Sequence, residues 1–570
     1  MTVRSLFWPA SVVVVGASSN PDAPGGKLFE MLRDHGFAGS LYAVNPRGGE
    51  ISPGVEAYVD LESLPEVPEL CLIVVAADRV MPVLESCQRL GVSAALVYSA
   101  EPTEEHLTHA AFDAVTTGTE LRILGPNSVG LLNVGHHLAA TWSPAIDARR
   151  GGRPPADGAV AIVAQSGGLG FGLLSEAQRR GLGVRCTVST GNEANLGCAE
   201  VASYLLDEES ISVVLMFVEG LHAPIELVDL GRKARRCGKS VIVVKVGRSA
   251  AAQEASALHT AHLAGSDVAY DAVFQEYGIS RAEDSEEMID AAMALVRCPS
   301  MSGPRVGIAT YSGGGGVWLA DACSAAGLSI PALDADHQQR LAAQVGTFGS
   351  VRNPIDLTGP KLSPTALVDA AASLAESDAV DAVVIITPTI GREDSEGLAM
   401  DNGAKLANDL AALQARTGKP VVLFTYTGVT GTWLRDLSQA GIAWYTSPVR
   451  LANALHALVE AGERDRRWSL RATEDLRVTA ASAAAPIPGS RSVLLEHEVK
   501  EMLRQQGAPT TREVLATSAE EAVREAAAMG GRVALKAQAA GIVHKMANGL
   551  VALDVAPGDI AAVFAEQWAQ

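Results

Sequence analysis

Short aliphatic runs recur along this chain and predict strands that are covered on both faces. Val12 to Val15, Leu72 to Val75, Val160 to Val163, Val213 to Val218, Val241 to Val244, Val306 to Ala309, Ala382 to Ile386 and Val421 to Phe424 lack the polar alternation of a half-solvated strand. Between them the spacing becomes helical, as from Lys27 to His35, which ends at Gly36. Strand and helix patterns in alternation imply parallel sheets flanked by helices, so the expected class is α/β.

Three such series follow one another, expected at residues 1–140, 153–298 and 303–470. Residues 471–490 then turn Ala-, Ser- and Pro-rich, including Ala483-Ala484-Ala485-Pro486-Ile487-Pro488-Gly489, and read as a linker. Residues 491–570 carry an amphipathic helix at Glu496 to Gln506. A strand follows at Val533 to Lys536, whose lysine is expected to point inward.

Composition narrows the class of function. A chain of 570 residues with 48% hydrophobic and 5% aromatic residues suits several Ala- and Val-rich cores and excludes a disordered or fibrous chain. Forty-five basic against 65 acidic residues give a net charge of -20, which opposes nonspecific binding to nucleic acid or to an anionic membrane. Seven cysteines without a Cys-x-x-Cys pair suggest neither a metal site nor a disulfide framework, and a reducing cytoplasm is the expected location. No apolar run approaches the roughly 18 residues that span a bilayer. The stretch Phe7 to Val15 runs into Gly16 without the spacer of a cleaved leader.

The candidate chemistry lies in loops that follow strands. Gly16-Ala17-Ser18 and Ala164-Gln165-Ser166-Gly167-Gly168 each leave a strand and open a helix, where unpaired N–H groups and the helix dipole favour phosphate. Gly16-Ala17-Ser18 is not Gly-x-Gly-x-x-Gly, which disfavours a nicotinamide-dependent oxidoreductase. Tyr311-Ser312-Gly313-Gly314-Gly315-Gly316 lacks a Gly-Lys-Ser/Thr ending and reads as a close-packing turn. His259 stands in the small-residue loop Ala255 to Asp267, ahead of a helical pattern.

Taken together these segments resemble the nucleoside-diphosphate-forming acyl-CoA synthetase superfamily, which includes succinyl-CoA synthetase and ADP-forming acetyl-CoA synthetase. The loop around His259, with Leu263-Ala264-Gly265-Ser266-Asp267, is similar to that family's phosphohistidine loop; Gln165 to Gly168 to its Ser-Gln-Ser-Gly loop; Val44-Asn45-Pro46 and Gly125-Pro126-Asn127 to its CoA-domain signatures. The resemblance implies a Rossmann-like CoA-binding domain, two flavodoxin-like CoA-ligase domains and a partial ATP-grasp subdomain. It implies acyl-CoA formation from a carboxylic acid, CoA and ATP through acyl-phosphate and phosphohistidine intermediates.

The roles it implies are specific. His259 is the nucleophile and Glu219 its orienting carboxylate. Gly16, Ala17, Ser18, Asn45, Pro46, Arg47 and Asn127 serve CoA; Gln165, Ser166, Gly167 and Gly168 cradle phosphate; Lys536 and His544 serve the nucleotide, ATP or ADP. Leu258, Ala261 and His262 depart from the family's wording, and Asn195 stands where aspartate is usual. Residues 491–570 are too short for a complete ATP-grasp fold, so the Mg²⁺ ligands are expected elsewhere. A homo-oligomer or a complementing ATP-grasp chain is the expected assembly. The alternative is a noncatalytic CoA-binding or regulatory protein that has lost the nucleotide site.

Overall fold

The computed structural model describes residues 3–100, 106–221, 225–249, 251–252, 267–342, 345, 349–358, 364–387, 403–426, 428–429, 431–471, 494–505, 507–538, 545–546 and 549–569. It divides into two units, residues 1–473 and 474–570. Among the described residues the first unit holds three large sheets and a small antiparallel pair, Glu50–Ser52 with Val55–Glu56, in an α/β arrangement.

The first sheet is all parallel and runs Ser40–Val44, Ser11–Val15, Leu70–Ile73, Ala94–Val97, Arg122–Leu124. Every residue of Ser11–Val15 and Leu70–Ile73 is buried, the outcome expected when helices cover both faces. The chain passes from the Ser11–Val15 strand to its neighbour on one side and then crosses to the other. A crevice therefore opens at the carboxyl end of this first strand, where open α/β sheets bind ligands.

The second sheet runs Ser280–Arg281, Ser240–Lys245, Val213–Val218, Val160–Ala164, Val184–Ser189, Gly130–Asn133, Leu138–Thr141. Its first five strands are parallel, and the hairpin Gly130–Asn133 with Leu138–Thr141 adds antiparallel to Val184–Ser189. That hairpin closes the first stretch of the sequence, at residues 130–141, yet hydrogen-bonds to the second sheet. The switch of direction now falls at Val160–Ala164, with Val213–Val218 as one neighbour.

The third sheet repeats the scheme: Ile355–Asp356, Val306–Thr310, Ala382–Thr387, Val421–Thr425, Trp444–Tyr445, all parallel. It is joined to the second domain by buried polar contacts. Asp290 pairs with Arg180 at 2.9 Å and with Arg450, the Tyr445 hydroxyl donates to the Asp290 carbonyl at 2.9 Å, and the Arg180 guanidinium lies 4.6 Å from the Trp444 ring centre. The second unit has a two-stranded antiparallel sheet, Val533–Lys536 with Val551–Val555, backed by Ala519–Met529 and Ile560–Ala569. Among the described residues no helix is long and apolar enough to cross a membrane, and all seven cysteines are free thiols.

Candidate functional site

At the first crevice Gly16 takes φ +93°, and a Cβ there would lie 2.2 Å from the Val74 carbonyl oxygen. A Cβ on Gly25, in the first turn of the helix Pro24–Asp34, would lie 2.0 Å from the Gly16 oxygen. The two glycines thus bring strand exit and helix start into backbone contact, which a side chain would prevent. Asn45 ties the neighbouring loop to this one: its Nδ2 donates to the Ala17 carbonyl at 2.9 Å and its Oδ1 accepts from the Arg47 amide at 3.0 Å. Pro46 and Arg47 are exposed on the rim, with Ser18 half-buried opposite. A glycine cradle, a helix N-terminus and an exposed arginine form a donor set suited to an anionic phosphate group.

Asn127 lies in the loop that follows Arg122–Leu124 and hydrogen-bonds towards the second sheet. It adopts φ +61°, and its Nδ2 donates to Asn192 Oδ1 at 3.1 Å, while the Asn192 and Ala194 amides bond to the Pro126 and Gly125 carbonyls at 2.9 and 3.0 Å. Gly191 has no room for a Cβ, which would sit 2.2 Å from the Pro126 oxygen. Asn195 accepts the Ile123 amide on Oδ1 at 3.0 Å, a bond that an amide oxygen makes as well as a carboxylate. The Gly-Pro-Asn and Ser-x-Gly-Asn signatures are therefore two sides of one joint between the first and second sheets.

The second crevice carries the candidate phosphoryl chemistry. Gln165 follows Val160–Ala164 and is buried; its Nε2 donates to the Gly220 carbonyl at 2.6 Å, and its Oε1 accepts from the amides of Glu219 at 2.6 Å and Gly220 at 3.2 Å. The side chain expected in the phosphate cradle thus shapes the loop that bears Glu219. Ser166 precedes the helix Gly167–Arg179 without capping it, Gly168 is exposed, and a Cβ on Gly168 would meet nothing within 4 Å. The first turn of this helix therefore presents N–H groups that no side chain caps. Behind it, Glu193 is buried and accepts from Thr190 Oγ1 at 2.7 Å and the Cys198 amide at 2.9 Å, and burial pushes its carboxyl above the usual range.

Sequence reasoning missed Lys245, the last residue of Ser240–Lys245. It is 4% exposed, donates to the Glu219 carbonyl at 3.0 Å and to that of Val246, and lies 4.8 Å from the Tyr270 ring centre. Burial pulls its ammonium below the ordinary lysine range, against the pull of Asp267. The available signal was a lysine ending an otherwise apolar strand at the carboxyl edge of a parallel sheet. Asp267 opens the helix Asp267–Tyr277 and is gripped by Arg281 at 2.8 Å and Arg248 at 3.2 Å. Burial alone would raise its pKa, and the two guanidinium groups outweigh that and hold it low. His259 and His262 lie outside the described residues.

The third sheet has a matching strand–loop–helix, with different neighbours around its turn. Ser312 caps Gly313–Ala325 by accepting from the Gly315 amide at 3.2 Å. A Cβ on Gly315 would lie 1.7 Å from the Tyr426 hydroxyl, and one on Gly313 2.7 Å from Asp356 Oδ2. In the second unit Lys536 proves exposed rather than inward, because Val533 and Leu535 take the positions facing the small core. Lys536 pairs with Glu496 at 2.9 Å, as do Lys500 at 2.8 Å and Lys545 at 3.3 Å. Lys500 first and then Lys536 hold the Glu496 carboxyl down at about 2. His544 lies outside the described residues, and among those described no three His, Cys, Asp or Glu side chains group as metal ligands.

Comparison with known proteins adds four matching family models: a CoA binding domain at 10–133, a succinyl-CoA ligase like flavodoxin domain at 157–295, a Ligase-CoA domain at 306–387 and an ATP-grasp domain at 487–566. The alpha subunit of an ADP-forming acetate–CoA ligase I from Pyrococcus furiosus is 32% identical over 80% of this chain and 97% of its own. A trans-feruloyl-CoA synthase from an unknown prokaryotic organism is 29% identical over 98% of this chain and 77% of its own. Among solved structures, an acetyl-coenzyme A synthetase 1 of Ca. Korarchaeum cryptofilum in complex with phosphate and ADP superposes with a TM-score of 0.70 at 26% identity, covering 82% of this chain and 98% of that one.

Proposed function

Because this chain belongs to the ADP-forming acyl-CoA synthetases, enzymes that join a carboxylic acid to CoA with release of ADP and phosphate, we propose that its second crevice is the phosphoryl-transfer centre. His259 is the nucleophile and Glu219 the carboxylate that orients it. The observation that carries this reading is the convergence of three features on one switch point: the uncapped helix start at Ser166–Gly168, Glu219 at the end of the adjacent strand, and Asp267 anchored where the chain leaves the histidine loop.

The division of labour follows from the chemistry of each group. A carboxylate bonded to one imidazole nitrogen fixes the tautomer and leaves the other nitrogen to attack phosphorus. As the N–P bond forms, the P–O bond to the leaving group breaks and that oxygen departs with the electron pair. The uncapped N–H groups of the helix Gly167–Arg179 stabilise the charge on the phosphoryl oxygens. In the acyl-forming direction the phosphoryl group passes from His259 to a carboxylate oxygen, and thiolysis of the resulting acyl phosphate supplies the thioester. Gly16, Ala17, Ser18, Pro46 and Arg47 hold CoA, Asn45 and Asn127 brace the loops around it, and Lys536 with His544 contributes to the nucleotide site.

Acetate, ferulate and 4-hydroxybutyrate are named for relatives, so the acid of this chain is to be found by trial over short aliphatic, hydroxylated and aromatic acyl groups. The test runs the reaction backwards, from acyl-CoA and radioactive inorganic phosphate to labelled protein. The label should be acid-labile and alkali-stable, as a phosphoramidate is. His259→Ala should abolish it and His262→Ala should retain most of it. Label that persists without His259 would refute the assignment.

A further inference from the structure

Glu219 can orient an imidazole only if its own backbone is fixed, and that backbone ends a strand in a loop. Two side chains from the flanking strands hold it. Gln165, from the Val160–Ala164 side, accepts the Glu219 amide at 2.6 Å; Lys245, from the Ser240–Lys245 side, donates to the Glu219 carbonyl at 3.0 Å. The register explains why Lys245 can do this, since Val218 pairs with Lys245 and places the next peptide within reach of its ammonium. Arginine and lysine heads normally seek water. This one is 4% exposed and is compensated by two carbonyls, the Tyr270 ring and the nearby carboxylates of Asp267 and Glu219. A buried cation persists only where such partners are already in place.

We infer that Lys245 is a positioning residue for phosphoryl transfer: it pins the Glu219 peptide from the opposite side to Gln165 and couples it to the start of the Asp267–Tyr277 helix, so that the orienting carboxylate and the exit of the histidine loop keep one fixed relation. The inference rests on the proposed roles of His259 and Glu219. It differs from a purely structural lysine in what it should change. A structural lysine would move stability and little else; a positioning lysine moves the rate of the phosphoryl step while leaving substrate binding alone.

The test uses the full chain with acetyl-CoA, feruloyl-CoA and radioactive inorganic phosphate. Lys245→Met should lower the rate of phosphohistidine formation by about 10 to 100-fold, the scale expected when a reacting group is misplaced by about an ångström. KM for the acyl-CoA should stay close to the wild-type value, and Lys245→Arg should recover most of the rate. Hydrogen exchange should quicken at the Glu219 and Gly220 amides in Lys245→Met and remain slow within Val213–Val218. Wild-type labelling that is unchanged in Lys245→Met overturns the inference and leaves the His259 assignment standing. A wild-type protein that takes no label from any acyl-CoA overturns both, and unaltered exchange at Glu219 refutes the pin by itself. Should Lys245→Met fail to fold, Lys245→Arg decides the matter: a folded arginine variant with a collapsed rate and unaltered exchange also counts against the inference.

Discussion

The second and third sheets of this protein share a topology, and their crevices differ. Each has a first strand followed by a serine- and glycine-containing turn, a helix, and a reversal of strand order at that point. In the second, Ser166 leaves its helix uncapped, Gly168 opens on empty space, and Glu219 and Lys245 come from the neighbouring strands. In the third, Ser312 caps its helix, the Tyr426 hydroxyl fills the space over Gly315, and Asp356 approaches Gly313 while accepting from Thr358. Both turns leave one glycine open, Gly168 in the second and Gly314 in the third, and the two differ in how the helix start is capped and in which side chains lie beside it. Fold alone does not separate the two.

The largest disruption of this pair of crevices should come from the contact that joins their domains. Asp290 is buried between Arg180 and Arg450, so Asp290→Ala takes the carboxylate from the buried Arg180 and leaves Arg450 with Glu286 alone; it should cost about 3 to 5 kcal/mol, read by chemical denaturation of the full chain. Within the crevices, Glu219→Gln should slow phosphohistidine formation by about 10 to 1000-fold. Asp356→Asn, at the carboxyl edge of the third sheet, should leave it within about threefold. Equal losses from the two changes would erase the distinction drawn between the sheets.

One crowded and one open glycine of these turns should respond with opposite signs. Gly315→Ala places a methyl against Tyr426 and should destabilise by about 1 to 3 kcal/mol. Gly168→Ala meets open space in a helix and should stabilise by about 0.5 to 1 kcal/mol, visible as a raised Tm. The smallest effect belongs to the second unit. The carboxyl of Glu496 is held at about 2, below its ordinary 4.5, so its contribution is complete above about pH 5 and is lost as pH falls towards 2. Acid titration of unfolding should show this loss, and Glu496→Gln should flatten it.

Much of the architecture was legible because a parallel sheet with two covered faces must be written in unbroken aliphatic runs such as Val12 to Val15 and Val213 to Val218, whatever lies beside them. The loops at their carboxyl ends were legible for a related reason, since turns without Cβ atoms leave glycines in place. The sequence by itself therefore determined the α/β class, the order of the units and the stretches in which chemistry was to be sought. What Gln165, Asn127 and Lys245 do was decided by tertiary structure. Gln165 hydrogen-bonds the peptides of Glu219 and Gly220, Asn127 pairs with Asn192, and Lys245 reaches the Glu219 carbonyl through a strand register, while Lys536, expected inward, faces outward. Each depends on partners between 26 and 65 positions away in the chain or on which face of a sheet is covered. Hydrogen-bond partnership and burial are properties of three-dimensional proximity, and periodicity along one chain carries no record of them.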